Sequence, residues 1–378
     1  MKRVAAIFGT RPEAIKLAPV IRELAASEYF EPRVLVTAQH RSMLDPMLAV
    51  FGLEPDADLD LLEPGQSLTD VTVRALQGLS NLVEREHPDA VVVQGDTTTT
   101  LTGALAAYYH RIPVAHVEAG LRTGDRYEPY PEEINRRLVS QLATLHLAPT
   151  QMAAANLYGE GVAPARVVVT GNTVVDALLW TLERPAPPSA LLDRLEGDGR
   201  RLLVVTTHRR ESWGDRMREI ASALAELVST DPSVLVIFPI HRNTIVREAV
   251  VPLLDGIDNA VLTEPLPYDE FVHVLARSHV ILTDSGGIQE EAPTLRKPVV
   301  VMRPATERPE AVHHGSSLVV GTERREIVGA VRRLLDDPAV YASMLPQRNP
   351  YGDGRAAERC VAALANLFGL AERPAEFS

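Results

Sequence analysis

Short, almost unbroken apolar runs recur along this chain, and longer segments with apolar residues at helical spacing separate them. In the first half the runs are "VAAIFG", "RVLVTA", "AVVVQGD", "VAHVE" and "RVVVTGN"; in the second they are "RLLVVTTH", "VLVIFPI", "HVILTDSG" and "KPVVVMR". A strand with one face in water alternates apolar and polar residues. A strand that is apolar throughout must be covered on both faces, as in a parallel sheet flanked by helices. Segments such as "EAIKLAPVIRELAAS" and "MREIASALAELVS" supply the amphipathic covers. The repeated strand–helix order predicts an α/β chain with two doubly wound, Rossmann-like domains.

Two domains follow from length, because 378 residues exceed what one hydrophobic core usually serves. The proline- and glycine-rich stretch "RPAPPSALLDRLEGDGR" interrupts the strand series and predicts a linker at 184–200. The expected division is therefore a first domain at 1–183, a second at 201–355, and a terminal helix and tail at 356–378. That helix, "GRAAERCVAALANLFGL", has an apolar face that could pack on either domain, and the last residues, "AERPAEFS", are expected to fray. A formal net charge of −12 argues against a protein that coats nucleic acid or an acidic membrane. The first apolar run breaks at Gly9, too early for a signal segment or a membrane span. One cysteine, Cys360, leaves no internal disulfide and suits a reducing cytoplasm.

In open parallel sheets ligands bind beyond the carboxyl ends of the strands, so the residues after each run carry the chemistry. After "AAIF" comes "GTRPEAIK", where Gly9 permits a tight turn and Arg11 and Lys16 reach toward the strand ends; the Walker spacing is missing. After "AVVV" comes "QGDTTTT", in which Asp96 and four threonines are candidate helix caps. Glu118 ends the next run, and Glu132 and Glu133 follow in "YEPYPEEINRR". Carboxylates converging with Asp96 would raise one another's pKa and become useful acids or bases. In the second half His208, Arg209, Arg210, His241 and Arg242 follow strands and form a basic edge. In "TDSGGIQEEAPTL", Ser285, Gly286 and Gly287 stand where a helix begins, offering a hydroxyl and free N–H groups to a phosphate. Glu291 falls about one turn on, at a distance suited to a ribose diol, and Arg303 and Arg308 lie close by in "MRPATERPE". Phosphate plus ribose makes a nucleotide. No H-E-x-x-H, Cys/His pairing or G-x-G-x-x-G occurs, so neither a metal nor a dinucleotide cofactor is expected.

Taken in order, "FGTRPEAIK", "TAQHR", "GDTTTT", "HVEAGLRTGD", "PEEINR", "THRRE", "TDSGGIQEEAP", "TERPE" and "NPYGDG" resemble the non-hydrolysing UDP-N-acetylglucosamine 2-epimerases, from residue 4 to about residue 354. The resemblance implies the glycosyltransferase-B architecture with an active site in the inter-domain cleft, a UDP-N-acetylhexosamine substrate, no cofactor, and commonly a homodimer. It implies that Ser285, Gly286 and Gly287 hold the diphosphate, Glu291 the ribose, and Phe271 in "YDEFV" the uracil. Arg11, Lys16 and Arg308 would also touch the nucleotide-sugar, His208 would lie near the leaving diphosphate, and Asp96, Glu118 and Glu132 would form the acid/base group. Gln39 and His241 match a second UDP-N-acetylglucosamine site found in some members, whereas Ser42 and Gly65 depart from it. Arg296 stands where a glycine is usual, and Pro304 and Ala305 where an acid and a threonine are usual. The competing expectations are a glycosyltransferase of the same architecture and a hydrolysing 2-epimerase that releases free N-acetylmannosamine.

Overall fold

The computed structural model describes residues 1–378 apart from 39, 40, 62, 64 and 307, with the main chain alone at 41–43 and 210. The second-site expectation for Gln39 therefore lies outside the described residues. The chain forms two compact units, Met1–Leu179 together with Tyr351–Ser378, and Trp180–Pro350.

In the first unit the apolar runs become strands β1 (Lys2–Phe8), β2 (Phe30–Val36), β3 (Ala57–Asp58), β4 (Ala90–Gln94), β5 (Val114–Val117), β6 (Leu145–Ala148) and β7 (Val167–Val169). Among the described residues they form a seven-stranded sheet in the order β3-β2-β1-β4-β5-β6-β7, parallel throughout. Ala5, Ile7, Leu35, Val91 and Val93 bury against Leu79, Leu82, Ala104 and Ala107 of the helices Leu68–Glu86 and Thr98–Tyr109. Transfer of the valine, leucine and isoleucine side chains among these from water contributes about 1.5–3 kcal/mol each.

The terminal helix Ala356–Leu367 packs on the helix Arg11–Ala26 of this unit, so its choice between domains is settled in favour of the first. Phe368 closes the contact, its ring 6.4 Å from that of Phe30 and 5.4 Å from the Lys2 ammonium. The expected fraying of "AERPAEFS" is not what the structure has. The Phe377 N–H donates to Val169 O at 2.8 Å, and the Arg373 guanidinium donates to Val167 O and to Ala165 O. The tail thus satisfies carbonyls along β7, the outer strand of the sheet, which water would otherwise have to solvate.

In the second unit strands β8 (Arg201–Thr206), β9 (Val234–Pro239), β10 (Ala260–Thr263), β11 (Val280–Thr283), β12 (Val299–Val301) and β13 (Ser317–Val319) form a parallel six-stranded sheet among the described residues. Their order is β10-β9-β8-β11-β12-β13. One face carries Met217, Ile220, Leu224 and Leu227 of the helix Asp215–Thr230, and the other Leu192, Leu275 and Ile288. Leu192 belongs to a short helix, Ala190–Glu196, inside the stretch expected to link the domains. Ser189 caps that helix by accepting from Leu191 N and Leu192 N, and its leucines fill the sheet face, so 184–200 is part of the second unit rather than a connector. The chain crosses instead at Leu179/Trp180 and Pro350/Tyr351.

Candidate active site

Each sheet order reverses once, between β1 and β4 in the first unit and between β8 and β11 in the second. At such a reversal the loops leave in opposite directions and open a crevice at the strand ends. Gly9, Lys16 and Asp96 follow the strands at the first point and His208, Ser285, Gly286 and Gly287 those at the second, whereas Glu118 follows β5, Glu132 opens a later helix, His241 follows β9 and Phe271 lies on a helix after β10.

At the first, Gly9 follows β1. A Cβ there would lie 2.0 Å from Thr37 Oγ1 and 2.6 Å from Thr99 Oγ1, so only glycine fits. Thr10 and Glu13 form a capping box on the helix Arg11–Ala26, a pattern legible as T-x-x-E. The Glu13 carboxylate accepts from Gly9 N at 3.0 Å, Thr10 N at 2.8 Å and Thr97 Oγ1 at 2.6 Å. Burial raises its pKa, and these donors offset part of that rise. Glu13 therefore ties the two loops together.

Glu118, one residue past β5, is 9% exposed and has φ +65°, a left-handed conformation costly for a glutamate. Its carboxylate receives the Lys16 ammonium, the Gln94 amide and, at 3.1 Å, the Asn172 amide. Three donors, one of them cationic, suit an ionised carboxylate held in one orientation. Lys16, expected at the nucleotide-sugar, thus also forms an ion pair with Glu118.

Asp96 does not cap its helix. Thr97 does, accepting from Thr100 N at 3.1 Å, which leaves the Asp96 carboxylate to pair with the Arg136 guanidinium. Glu132 begins the helix Glu132–Leu142 and is half-buried. Glu133, one residue on, is fully buried and accepts from Thr123 N, Arg136 and Arg137, a bracing role for the loop before it. Arg11 is exposed at the first position of its helix.

At the second point, His208 and Arg209 follow β8 and Asp284 follows β11. Asp284 is fully buried. Its carboxylate accepts from His208 N, Arg209 N and Ser212 Oγ, each at 3.1 Å, and lies 3.1 Å from His208 Nδ1. Burial pushes its pKa up, but His208 and the backbone donors outweigh that and hold it below the usual carboxylate range. Ser285 then stands at the N-cap position of the helix Gly286–Glu291, its side chain making no capping bond. Arg308 lies over this turn: a Cβ on Gly286 would be 3.5 Å from Arg308 Nη2, and Arg308 Nε donates to the buried Glu290. Gln289 is fully buried and braces both sides, donating to Ser285 O at 3.0 Å and accepting from Thr306 Oγ1 at 2.6 Å. Glu291, 5% exposed, accepts from Tyr268 OH at 3.3 Å. Phe271 is half-buried in the first turn of the helix Tyr268–Arg277. His241 accepts from Asn243 N through Nδ1 at 3.1 Å and packs on Trp213, with ring centroids 5.6 Å apart. Arg296 has φ +54°, which accounts physically for a glycine being usual there.

Gln94, Asn172, Asp284, Gln289 and Glu290 were missed by the sequence reading. Asn172 and Asp284 follow strands and obey the rule that found the others; Gln94 is the last residue of β4, while Gln289 and Glu290 looked like ordinary helix residues.

A family model described as UDP-N-acetylglucosamine 2-epimerase matches residues 22–365. The UDP-N-acetylglucosamine 2-epimerase of Yersinia pestis is 52% identical over 370 residues, covering 96% of this chain and 98% of that protein. An S. aureus structure described as a MnaA–UDP co-structure is 44% identical with a TM-score of 0.93, and each chain covers 100% of the other. The Neisseria meningitidis UDP-GlcNAc 2-epimerase, solved bound to UDP-GlcNAc, is 44% identical with a TM-score of 0.90, covering 96% of this chain and 100% of that one. With carboxylates at one strand reversal, a cationic glycine turn at the other, and similarity along almost its whole length, this chain belongs to the UDP-N-acetylglucosamine 2-epimerase family.

Proposed function

We propose that this isomerase interconverts UDP-N-acetylglucosamine and UDP-N-acetylmannosamine by removing UDP and adding it back. The C2 hydrogen of an N-acetylhexosamine is not adjacent to a carbonyl, so no ordinary side-chain base can take it from the intact sugar. Breaking the anomeric C–O bond, with both electrons leaving on UDP, builds positive charge on the ring and acidifies that hydrogen. A carboxylate then takes the proton, the C–H electrons form the C1–C2 double bond, and a glycal remains beside UDP. Addition of UDP at C1, with a proton delivered to the opposite face of C2, completes the inversion. The route needs dipoles and cations for a departing diphosphate, and carboxylates for the ring.

In this reading Ser285, Gly286, Gly287 and Arg308 grip the diphosphate, Glu291 the ribose and Phe271 the uracil. His208 faces the leaving oxygen, and Arg11 and Lys16 contribute positive charge. Asp96, Glu118 and Glu132 exchange the proton. The observation that carries the reading is Glu118, a buried carboxylate in a strained backbone conformation at a strand end, fixed by one ammonium and two amides. A purely structural glutamate has no need of that arrangement. His241 is assigned to a second nucleotide-sugar site on sequence match alone. A homodimer in the cytoplasm completes the proposal. Exposed Val73, Tyr108, Tyr109 and Leu138, on helices that pack together in the first unit, support the dimer, and a lone buried cysteine suits the compartment. Among the described residues no helix is long and apolar enough to cross a membrane.

The test is incubation of purified protein with UDP-N-acetylglucosamine in heavy water, without an acceptor, followed by NMR. UDP-N-acetylmannosamine carrying deuterium at C2 is expected. Epimer with protium alone at C2 would overturn the elimination route. Free N-acetylmannosamine would mark the hydrolysing activity, and sugar transfer only on adding an acceptor would mark a glycosyltransferase.

A further inference from the structure

Two residues before Glu118, on β5, lies a histidine to which the reaction assigns nothing. His116 is fully buried, and its Nε2–H donates to Gly95 O at 2.7 Å. That carbonyl belongs to the turn leading from β4 into Asp96. Gly95 has φ +73°, and a Cβ on it would lie 3.6 Å from Glu118 Oε2, so the turn runs directly past the Glu118 carboxylate. Its other anchors are Gly95 N to Val117 O at 3.0 Å and Asn135 Nδ2 to Asp96 O at 2.9 Å. The imidazole supplies the one side-chain donor to the Gly95 carbonyl among the hydrogen bonds described, on a residue that adjoins Asp96 in the chain and the Glu118 carboxylate in space.

We infer that His116 is a positioning residue for the epimerisation, which sets the spacing of Asp96 and Glu118 by holding the Gly95 carbonyl through its Nε2–H. The inference rests on the proton-exchange roles proposed for those two acids. His116 pairs with Val93 on β4 and His146 on β6, and Arg122, Arg136 and Glu118 are the charged groups around it. Burial pushes its pKa down to about 4, with the Gly95 bond and Glu118 opposing, so the ring stays neutral at working pH. The Gly95 carbonyl can only accept, which puts the proton on Nε2, and Nδ1 has no hydrogen-bond partner among the described residues. A displacement of reacting groups by about 1 Å is enough to cost roughly 100-fold in rate.

Three variants test this. His116→Leu fills the space without a donor and is expected to lower kcat by roughly 10- to 100-fold while KM and UDP binding stay within about twofold. His116→Gln places an amide Nε2 at the same bond count from the backbone and should restore kcat to within about fivefold; the shorter His116→Asn should not. A folded Leu variant at parental kcat, or Gln and Asn performing alike, would overturn the inference. Should the Leu variant fail to fold, the Gln–Asn contrast decides, together with ¹⁵N NMR of the parent. The His116 resonances, identified by their loss in the Gln variant, should show an Nε2–H tautomer unchanged from pH 5.5 to 8, and a His116 imidazole titrating near 6.5 would refute it. Asp96→Asn and Glu118→Gln measured alongside separate the two levels. If they retain turnover, the proposed acid/base roles fail; if they lose it while His116→Leu does not, only the role of His116 fails.

Discussion

The Lys16 ammonium meets the Glu118 carboxylate at the strand ends of the first unit, joining the first helix of the chain to the residue just past β5. Both side chains are largely out of water, so removing either leaves an uncompensated charge. Glu118→Gln is expected to reduce kcat by at least about 1000-fold, with UDP binding nearly intact. Lys16→Met should lower kcat by roughly 100-fold and weaken stability by about 3 kcal/mol. Steady-state kinetics and thermal melts check both; a Lys16→Met protein with parental kcat would remove the pair from the reaction.

Asp284 holds His208 by its backbone N–H and lies 3.1 Å from its ring Nδ1, while also bonding Arg209 N and Ser212 Oγ. Asparagine has one acceptor oxygen and turns N–H groups toward N–H groups. Asp284→Asn should therefore lower kcat by roughly 10- to 100-fold and the melting temperature by several degrees. Its carboxylate pKa is held down in the folded state, so its stabilising contribution is present above the unfolded value of 3.8 and lost as pH falls through the folded one. If His208→Asn cripples turnover and Asp284→Asn does not, the histidine needs no orientation by this acid.

His116 and His146 face each other on β5 and β6, both fully buried, with pKa values pushed by burial to about 4 and about 3. Arg122, with Arg166 near His146, adds to the depression. Between pH 6.5 and 4 the unfolded chain binds these protons and the folded chain does not, so stability falls as pH falls. Asp176 works in the other direction: burial raises it to about 6, and folded protein takes its proton first. Glu13, also raised by burial, adds to that opposing effect. His273 and His279, also lowered by burial, add to the loss, and four histidines against two acids leave stability falling as pH falls from about 6.5 toward 5. Urea titrations from pH 7 to 4.5 measure it, and His146→Leu should flatten the slope by about one proton. An unchanged slope would show that His146 does not titrate in this way.

Removal of residues 371–378 takes away the Phe377 and Arg373 bonds to β7 and the cover that Phe377 gives to the cluster containing Ala153, Leu157 and Val169. The expected loss is about 1–2 kcal/mol, or roughly 3–6 °C in Tm, with self-association through the bared strand edge. Calorimetry and light scattering read the two effects. A truncated protein with parental Tm that stays dispersed would mean that the tail contributes nothing to the edge.

The two-sheet α/β architecture was legible in the apolar runs because burial of both faces leaves no other way to write a strand. The residues after those runs were legible for the same reason: a polar group directly following a buried strand marks the carboxyl end, where ligands bind. Their partners were not legible. Lys16, Gln94 and Asn172 converge on Glu118 from 102, 24 and 54 positions away, and no local pattern encodes that meeting. The sequence likewise offered Asp96 and Thr97 equally as caps, and only the packed helix gave the cap to Thr97 and the aspartate to Arg136. The proline-rich break at 184–200 signalled a change of direction, but the leucines within it found a sheet to cover. Position at the chain end suggested that the last eight residues would fray, yet the open edge of β7 supplied carbonyls in need of donors. What one segment does alone is set by its own periodicity, whereas what two distant segments do together depends on which unsatisfied groups the fold brings within reach.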